Sequence, residues 1–279
     1  MVETAARTLQ DLVEAVRSLS AVSLVGSDSG RAFRVPSSGS AASLKVGLSG
    51  IISHDVDDQV VTVYAGTPLE DLQRALKTTG QCLPWTDLFH PSEELPGTVG
   101  GRISLNLPHA YEADCGNWRD WVLGGKVVQA DGTVAKIGSK AVKNVAGYDV
   151  QKLLVGARGT LAVLAEVTLR TYPLKALPRK DLEVFRNSER GLILRTQATD
   201  FERAVREAGS DLLATHPRTS TLYLAKESAP AYPYSWSVGW GLGSANLKFE
   251  DATAVHYMKR AKEMLDPTGK LNPGEMGIF

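Results

Sequence analysis

Gly156-Ala157-Arg158-Gly159, leading into Thr160 to Thr171 (TLAVLAEVTLRT), is the stretch that decides the fold. A glycine-bearing turn delivers a long apolar, β-branched run that ends before Pro173, so a loop opens onto a strand. Two other glycine loops stand beside apolar runs. Gly26-Ser27-Asp28-Ser29-Gly30-Arg31 follows Val22-Ser23-Leu24-Val25, and Gly97-Thr98-Val99-Gly100-Gly101 closes an irregular, Pro- and carboxylate-rich stretch from Leu83 to Pro96. Backbone N–H groups without a Cβ nearby can close on phosphate oxygens. Taken singly, each loop reads first as a turn.

Working outward, Leu9, Leu12, Val13, Val16 and Leu19 recur at helical spacing and predict a first helix. Gln59 to Ala65 reads as a strand. It is followed by a helix with Thr67 as N-cap, Pro68 at the first helical position, Glu70 in the capping box and Gly80 at its end. Val122 to Gln129 and Thr133 to Ile137 flank Ala130-Asp131-Gly132, a hairpin signal. A short helix is expected within Asp149 to Val155. Beyond Leu174 the pattern weakens to a strand near Asp181 to Phe185, a helix near Phe201 to Ala208, an aromatic run from Tyr232 to Gly243, and a helix from about Asp251 to Met264.

The 279 residues, 43% hydrophobic, exclude a disordered chain, and 31 basic against 31 acidic side chains give no field that would gather nucleic acid. No window suits a membrane helix, and no leader is visible at Met1-Val2-Glu3-Thr4. Cys82 and Cys115 read as thiols of a reducing cytoplasm. No loop fits the Rossmann or Walker spacing, no two histidines have zinc-ligand spacing, and no G-x-S-x-G elbow occurs. His109 reads as a structural histidine, with a ligand-facing role as its alternative. Asp55, Asp57 and Asp58 read as a solvated turn. Tyr232, Tyr234, Trp236 and Trp240 read as one buried strand face, with stacking on a flavin or a base as the alternative.

Read together, the ordered motifs resemble the PCMH-type (vanillyl-alcohol-oxidase-like) FAD-binding flavoproteins, and within them the FAD-binding subunits of bacterial glycolate oxidase. Gly26 to Phe33 is similar to the family's first pyrophosphate loop, with one residue more. Ala65-Gly66-Thr67-Pro68-Leu69 resembles its helix entry, Gly100-Gly101 its second loop, and Arg119-Asp120-Trp121-Val122-Leu123-Gly124 its Arg-Asp-aromatic segment. The most specific stretch is Lys143-Asn144-Val145-Ala146-Gly147-Tyr148-Asp149, continued by Leu153 to Gly156 and Gly159 to Leu161. Leu265-Asp266-Pro267 and Asn272 to Met276 resemble the closing motif.

The resemblance implies an α+β, PCMH-type fold. Residues 1–173 would form the FAD-binding domain, with subdomains of about 1–66 and 67–173, and 174–279 a reduced α+β cap ending in a helix. It implies noncovalent FAD whose diphosphate rests on amides of the first two loops. The implied cofactor-binding residues are Gly26, Ser27, Asp28, Ser29, Gly30, Thr98, Gly100, Gly101, Arg119, Gly159, Thr160, Val163 and Asn272. Asn272 would lie near the isoalloxazine, and Arg119 would either help position the cofactor or pair with Asp120.

Two departures from the family pattern bear on this expectation. Asn106, His109, Tyr111 and Glu112 replace glycines and a basic pair, which is expected to narrow the phosphate region or repel phosphate from it. Only 91 residues separate Pro173 from Leu265, a short cap. The implied activity is oxidation of glycolate or a similar 2-hydroxy acid by hydride transfer to flavin N5. The implied partners are a larger FAD subunit and an iron–sulfur subunit, with any membrane association coming through them. A non-flavin structural or regulatory subunit is the alternative, and an independent FAD-dependent oxidase the third reading.

Overall fold

The structure is a computed structural model that describes residues 3–30, 33, 41–85, 97–139, 149–178, 191–225, 232, 233, 235–240 and 247–277. Lys143 to Tyr148, Arg31, most of the Leu83 to Pro96 stretch, Tyr234, Gly241 to Gly243 and the strand expected near Asp181 lie outside the described residues.

A three-stranded parallel sheet opens the chain: β1 (Glu3–Ala6), β2 (Val22–Val25) and β3 (Ala42–Val46), in the order β1-β3-β2. Between β1 and β2 runs α1 (Leu9–Ser18), capped by Thr8 and Asp11 in a reciprocal capping box and burying Leu12, Ala15 and Val16. The C-terminal segment joins the far edge of this sheet. The Val22 amide donates to the Lys270 carbonyl and the Asn272 amide to the Val22 carbonyl, 2.8 Å each.

The second sheet is antiparallel and five-stranded. It comprises β4 (Ile51–Asp55), β5 (Val60–Tyr64), β7 (Val122–Val128), β8 (Val134–Gly138) and β9 (Val163–Arg170), in the order β4-β5-β9-β7-β8. Gly132, at φ 82°, turns the predicted hairpin. An expected subdomain boundary near residue 66 would therefore separate strands hydrogen-bonded within one sheet, β5 from β9. The first sheet itself ends at Val46.

Packed against the second sheet is α2 (Leu69–Lys77), whose Leu69, Leu72 and Leu76 are fully buried. The expected Thr67 cap is not formed. The Thr67 hydroxyl donates to the Tyr64 carbonyl at 2.7 Å and accepts from the Gly50 amide at 3.0 Å, and Pro68 stands at the cap position. The Gly97 carbonyl accepts from the first helical amide, Leu69, at 2.9 Å.

Short elements complete this half: β6 (Gln81–Cys82), α3 (Val99–Leu105), α4 (Glu112–Cys115), α5 (Trp118–Trp121), α6 (Gln151–Leu154) and β10 (Tyr172–Pro173), which pairs with β6.

The C-terminal part has its own antiparallel sheet of β11 (Gly191–Arg195), β12 (Leu212–His216), β13 (Thr221–Leu224), β14 (Trp236–Trp240) and β15 (Lys248–Phe249), in the order β12-β13-β11-β14-β15. Against it lies α7 (Ala198–Ala208), burying Phe201, Ala204 and Ala208. Phe33 and Leu107 reach into a core shared with Ile193, Tyr223 and Val238, tying this sheet to the N-terminal half. Last comes α8 (Ala252–Leu265), capped by Asp251. The fold is α+β.

Candidate functional site

Three loops expected to act together do meet. Gly26 to Gly30, Gly97 to Gly101 and Arg158-Gly159 converge with Ala162 to Leu164, Asn272 and Glu275 around one cleft of about 780 Å³ of empty space, part of it open solvent. Of the residues named from sequence, Gly26, Ser27, Asp28, Ser29, Gly30, Thr98, Gly100, Gly101, Gly159, Val163 and Asn272 line it.

Missing side chains hold the loops together. A Cβ on Gly26 would stand 2.6 Å from the Thr98 hydroxyl oxygen, and one on Gly100 would stand 2.9 Å from the Ala65 Cβ. Gly159, at φ 70°, leaves its would-be Cβ 2.7 Å from Asn272 Nδ2. Side chains at these points would push the loops apart and close the cleft.

The donor groups differ between the first two loops. Among the described residues the amides of Ser27, Ser29 and Gly30 donate to no protein acceptor, and the Ser27 hydroxyl makes only a 3.3 Å contact to that of Ser29. Asp28 takes φ 60°, a left-handed turn of the kind that aims successive N–H groups at an anion. The first-turn amides of α3, by contrast, are all used within the protein. Val99 donates to the Thr67 carbonyl at 2.9 Å, Gly100 to the Ala65 carbonyl at 2.7 Å and Gly101 to the Thr98 hydroxyl at 3.2 Å. Gly100 and Gly101 therefore shape the cleft by their smallness, their own amides being committed within the protein.

Charge enters through Arg102, Arg158 and Glu275, none of them named as a site residue from the sequence. Arg102 lines the cleft, buried, with its guanidinium 4.9 Å from the Trp85 ring centroid. Arg158, at φ 53°, pairs with Glu275 at 3.2 Å and donates to the Phe33 carbonyl. Leu24, Val25, Val46, Ala65, Leu105, Ala162 and Leu164 supply apolar walls. Neutral donors on one loop, a buried guanidinium and apolar walls fit a dinucleotide with two ring systems and a diphosphate.

Asn272 lines the cleft as a clamp. Its Oδ1 accepts from the Leu24 amide at 2.6 Å and its Nδ2 donates to the Arg158 carbonyl at 2.6 Å, so both ends of the carboxamide are committed to backbone. Behind it, buried Lys262 donates to Asp266 at 2.6 Å and to the carbonyls of Thr160 and Leu271 at 2.8 Å each. Burial pulls the Lys262 pKa below its ordinary value, against the opposing pull of Asp266.

Arg119 and Thr160 are not at this cleft. Both line a second cavity on the other side of the Ala157 to Thr160 turn, and the Thr160 hydroxyl donates to the Ala157 carbonyl at 2.6 Å. Asp120 pairs with the Asn117 amide as part of a helix cap, so the Arg119–Asp120 pair that was the structural alternative does not form.

The acidic replacement expected to repel phosphate turns away from the cleft. Glu112 is gripped by Arg195 at 2.7 and 3.1 Å and by Asn117 at 2.9 Å, and it does not line the cleft. Burial works against the Glu112 carboxylate, but the Arg195 bonds and charge, with the Asn117 amide, hold its pKa below the usual range.

His109 is buried against Trp121, ring centroids 5.1 Å apart, and neither ring nitrogen closes a hydrogen bond. Burial lowers its pKa to about 4; the Glu112 charge and the nearby Gly116 backbone oppose that shift. It is structural, as are Tyr232, whose hydroxyl meets Glu207, and Trp236, which packs beside Arg195; neither lines the cleft. Asp55 accepts from the Asp58 amide in an exposed turn. Cys82 and Cys115 form no disulfide, and no metal-holding cluster occurs among the described residues.

A parallel sheet, an antiparallel sheet and a glycine-walled cleft lined by both make a site that fits a dinucleotide. Residues 3–138 match the family described as FAD binding domain. Glycolate oxidase subunit GlcE of Escherichia coli (strain K12) is 36% identical over 137 residues, 49% of this chain and 37% of the relative. D-lactate dehydrogenase of Archaeoglobus fulgidus is 38% identical over 119 residues, 43% of this chain and 26% of the relative. Glycolate oxidase subunit GlcD of Bacillus subtilis (strain 168) is 31% identical over 152 residues, 54% and 32%. The chain thus spans about a third of the length of the relatives it matches. Among the described residues no helix is long and apolar enough to cross a membrane.

Proposed function

We propose that the chain is an FAD-holding subunit of a 2-hydroxy-acid dehydrogenase of the glycolate-oxidase type, working in a complex with a larger FAD subunit and an iron–sulfur subunit. The observation that carries this reading is the first loop, where Ser27, Ser29 and Gly30, whose amides donate to no acceptor among the described residues, line a cleft walled by glycine and apolar side chains. Bound there, FAD supplies the hydride-accepting chemistry. Ser27 and Ser29 would hold its diphosphate, with Arg102 supplying charge. Val163 and Leu164 would cover a ring, and Asn272 would hold the loop in place. Attachment is noncovalent in this reading, since no histidine, cysteine or tyrosine is among the described residues lining the cleft.

One observation favours a cofactor-holding role over a self-sufficient oxidase. The titratable side chains among the described lining residues are Asp28, Arg102, Arg158 and Glu275, and the last two neutralise each other. None is placed as a base for a substrate hydroxyl. The proton acceptor and the substrate carboxylate site would then come from a partner subunit, in a cytoplasmic or membrane-peripheral assembly. The test is anaerobic reduction of the FAD-reconstituted chain by glycolate or D-lactate, alone and with its co-expressed partners. Bleaching of the flavin band only with partners present supports the reading; bleaching of the isolated chain at the same rate refutes the division of labour.

A further inference from the structure

The second cavity lies between α6, the turn that follows it, and α8, with about 700 Å³ of empty space, part of it open solvent. Leu153, Val155, Leu161, Met258, Ala261 and Met276 give it apolar walls. The Thr160 hydroxyl in its lining is committed to the Ala157 carbonyl, so the interior offers little to a polar ligand.

The mouth is different. Arg119 is exposed and Lys152 half-buried, and both line the cavity where it meets solvent. They share one carboxylate: Asp149 pairs with Lys152 at 2.7 Å and feels Arg119 only as a more distant charge. Among the described residues Arg119 closes no ion pair, so a guanidinium stands at the rim of an apolar hole. A planar guanidinium in that position suits a carboxylate, which it can take through two parallel N–H groups.

The walls specify the rest of the ligand. Two methionines are deformable and accept a flexible chain. Tyr257, 62% exposed, and Leu153, 51% exposed, extend the apolar surface outward instead of closing it. Against α8, whose only buried side chain is that of Lys262, such a chain would cover surface the fold leaves open.

We propose that this cavity is a binding site for an amphipathic monocarboxylate, its alkyl chain between α6 and α8 and its carboxylate on Arg119, separate from the flavin cleft. Calorimetric titration of the full chain with octanoate tests it. One saturable site is expected, with Arg119→Gln weakening binding about tenfold and Ala254→Trp, which fills the cavity, removing it. Octanol should bind far more weakly than octanoate, and preloading with FAD should leave the octanoate affinity unchanged. Absence of saturable binding, an unaltered affinity in the exposed-site variant Arg119→Gln, or competition between octanoate and FAD would overturn the proposal.

Discussion

Replacing Asn272 by alanine should be among the most destabilising single changes at the cleft. The side chain is 3% exposed and carries two hydrogen bonds of 2.6 Å, from the Leu24 amide and to the Arg158 carbonyl. Alanine takes those partners from a part-buried amide and a buried carbonyl, at about 1 to 3 kcal/mol each. Asn272 also sits at φ 45°, where alanine costs about 1 kcal/mol more. The expected loss is about 4 kcal/mol, a large part of a typical domain's stability. Urea unfolding followed by tryptophan fluorescence should show the midpoint falling by about 1.3 M for a slope near 3 kcal/mol per M. Asn272→Gly loses the same bonds without the left-handed strain, so it should be more stable than Asn272→Ala by about 1 kcal/mol. Midpoints within about 0.2 M of wild type, or alanine above glycine, would refute the clamp.

Three further outcomes follow from buried charge. Arg195→Met strands the Glu112 carboxylate and should cost about 3 to 5 kcal/mol, most of it recovered in the Arg195→Met, Glu112→Leu pair; equal stability of single and double variants in thermal unfolding would argue against a coupled bridge. His109, with its pKa lowered from 6.5 to about 4, stays neutral in the fold while the unfolded chain takes up a proton, so stability is intact above pH 6.5 and falls between there and pH 4. The slope is about 1.4 kcal/mol per pH unit, and His109→Phe should flatten that part of the stability profile; an unchanged profile contradicts the burial argument. Lys262→Met removes the counter-charge of buried Asp266 and the Lys262 bonds to two carbonyls and should cost about 3 to 5 kcal/mol, with Asp266→Asn in the same chain returning part of it when both variants are unfolded in urea.

Local signals were legible where local physics decides them. The apolar stripe of α1, the Asp131-Gly132 turn and the apolar run of β9 each become the element their residues favour. Thr67 did not follow its helix-start pattern, because a hydroxyl one residue before Pro68 found stronger partners in the Tyr64 carbonyl and the Gly50 backbone. Ordered motifs likewise brought three glycine loops to one cleft, but not the use each makes of its amides, which depends on chain folded from elsewhere, such as the Ala65 and Thr67 carbonyls. Arg158 and Glu275 lie 117 residues apart and carry no mutual signal in sequence. Thr160 follows Arg158 and Gly159, which border the cleft, yet it lines the second cavity, a distinction of direction that a one-dimensional match does not contain; Arg119 lies on α5, and no residue of its motif lines the cleft.

The central claim is that the first glycine loop and its neighbours hold FAD. Its most direct test is a fluorescence titration of the purified chain with FAD, followed by gel filtration, for wild type and for Gly26→Val, whose added carbon would meet Thr98 at 2.6 Å. Wild type should saturate at one FAD per chain and keep the flavin through the column, while Gly26→Val, shown by circular dichroism to be folded, should lose it. A wild-type chain that retains no flavin, or a folded Gly26→Val that binds it equally well, would contradict the account.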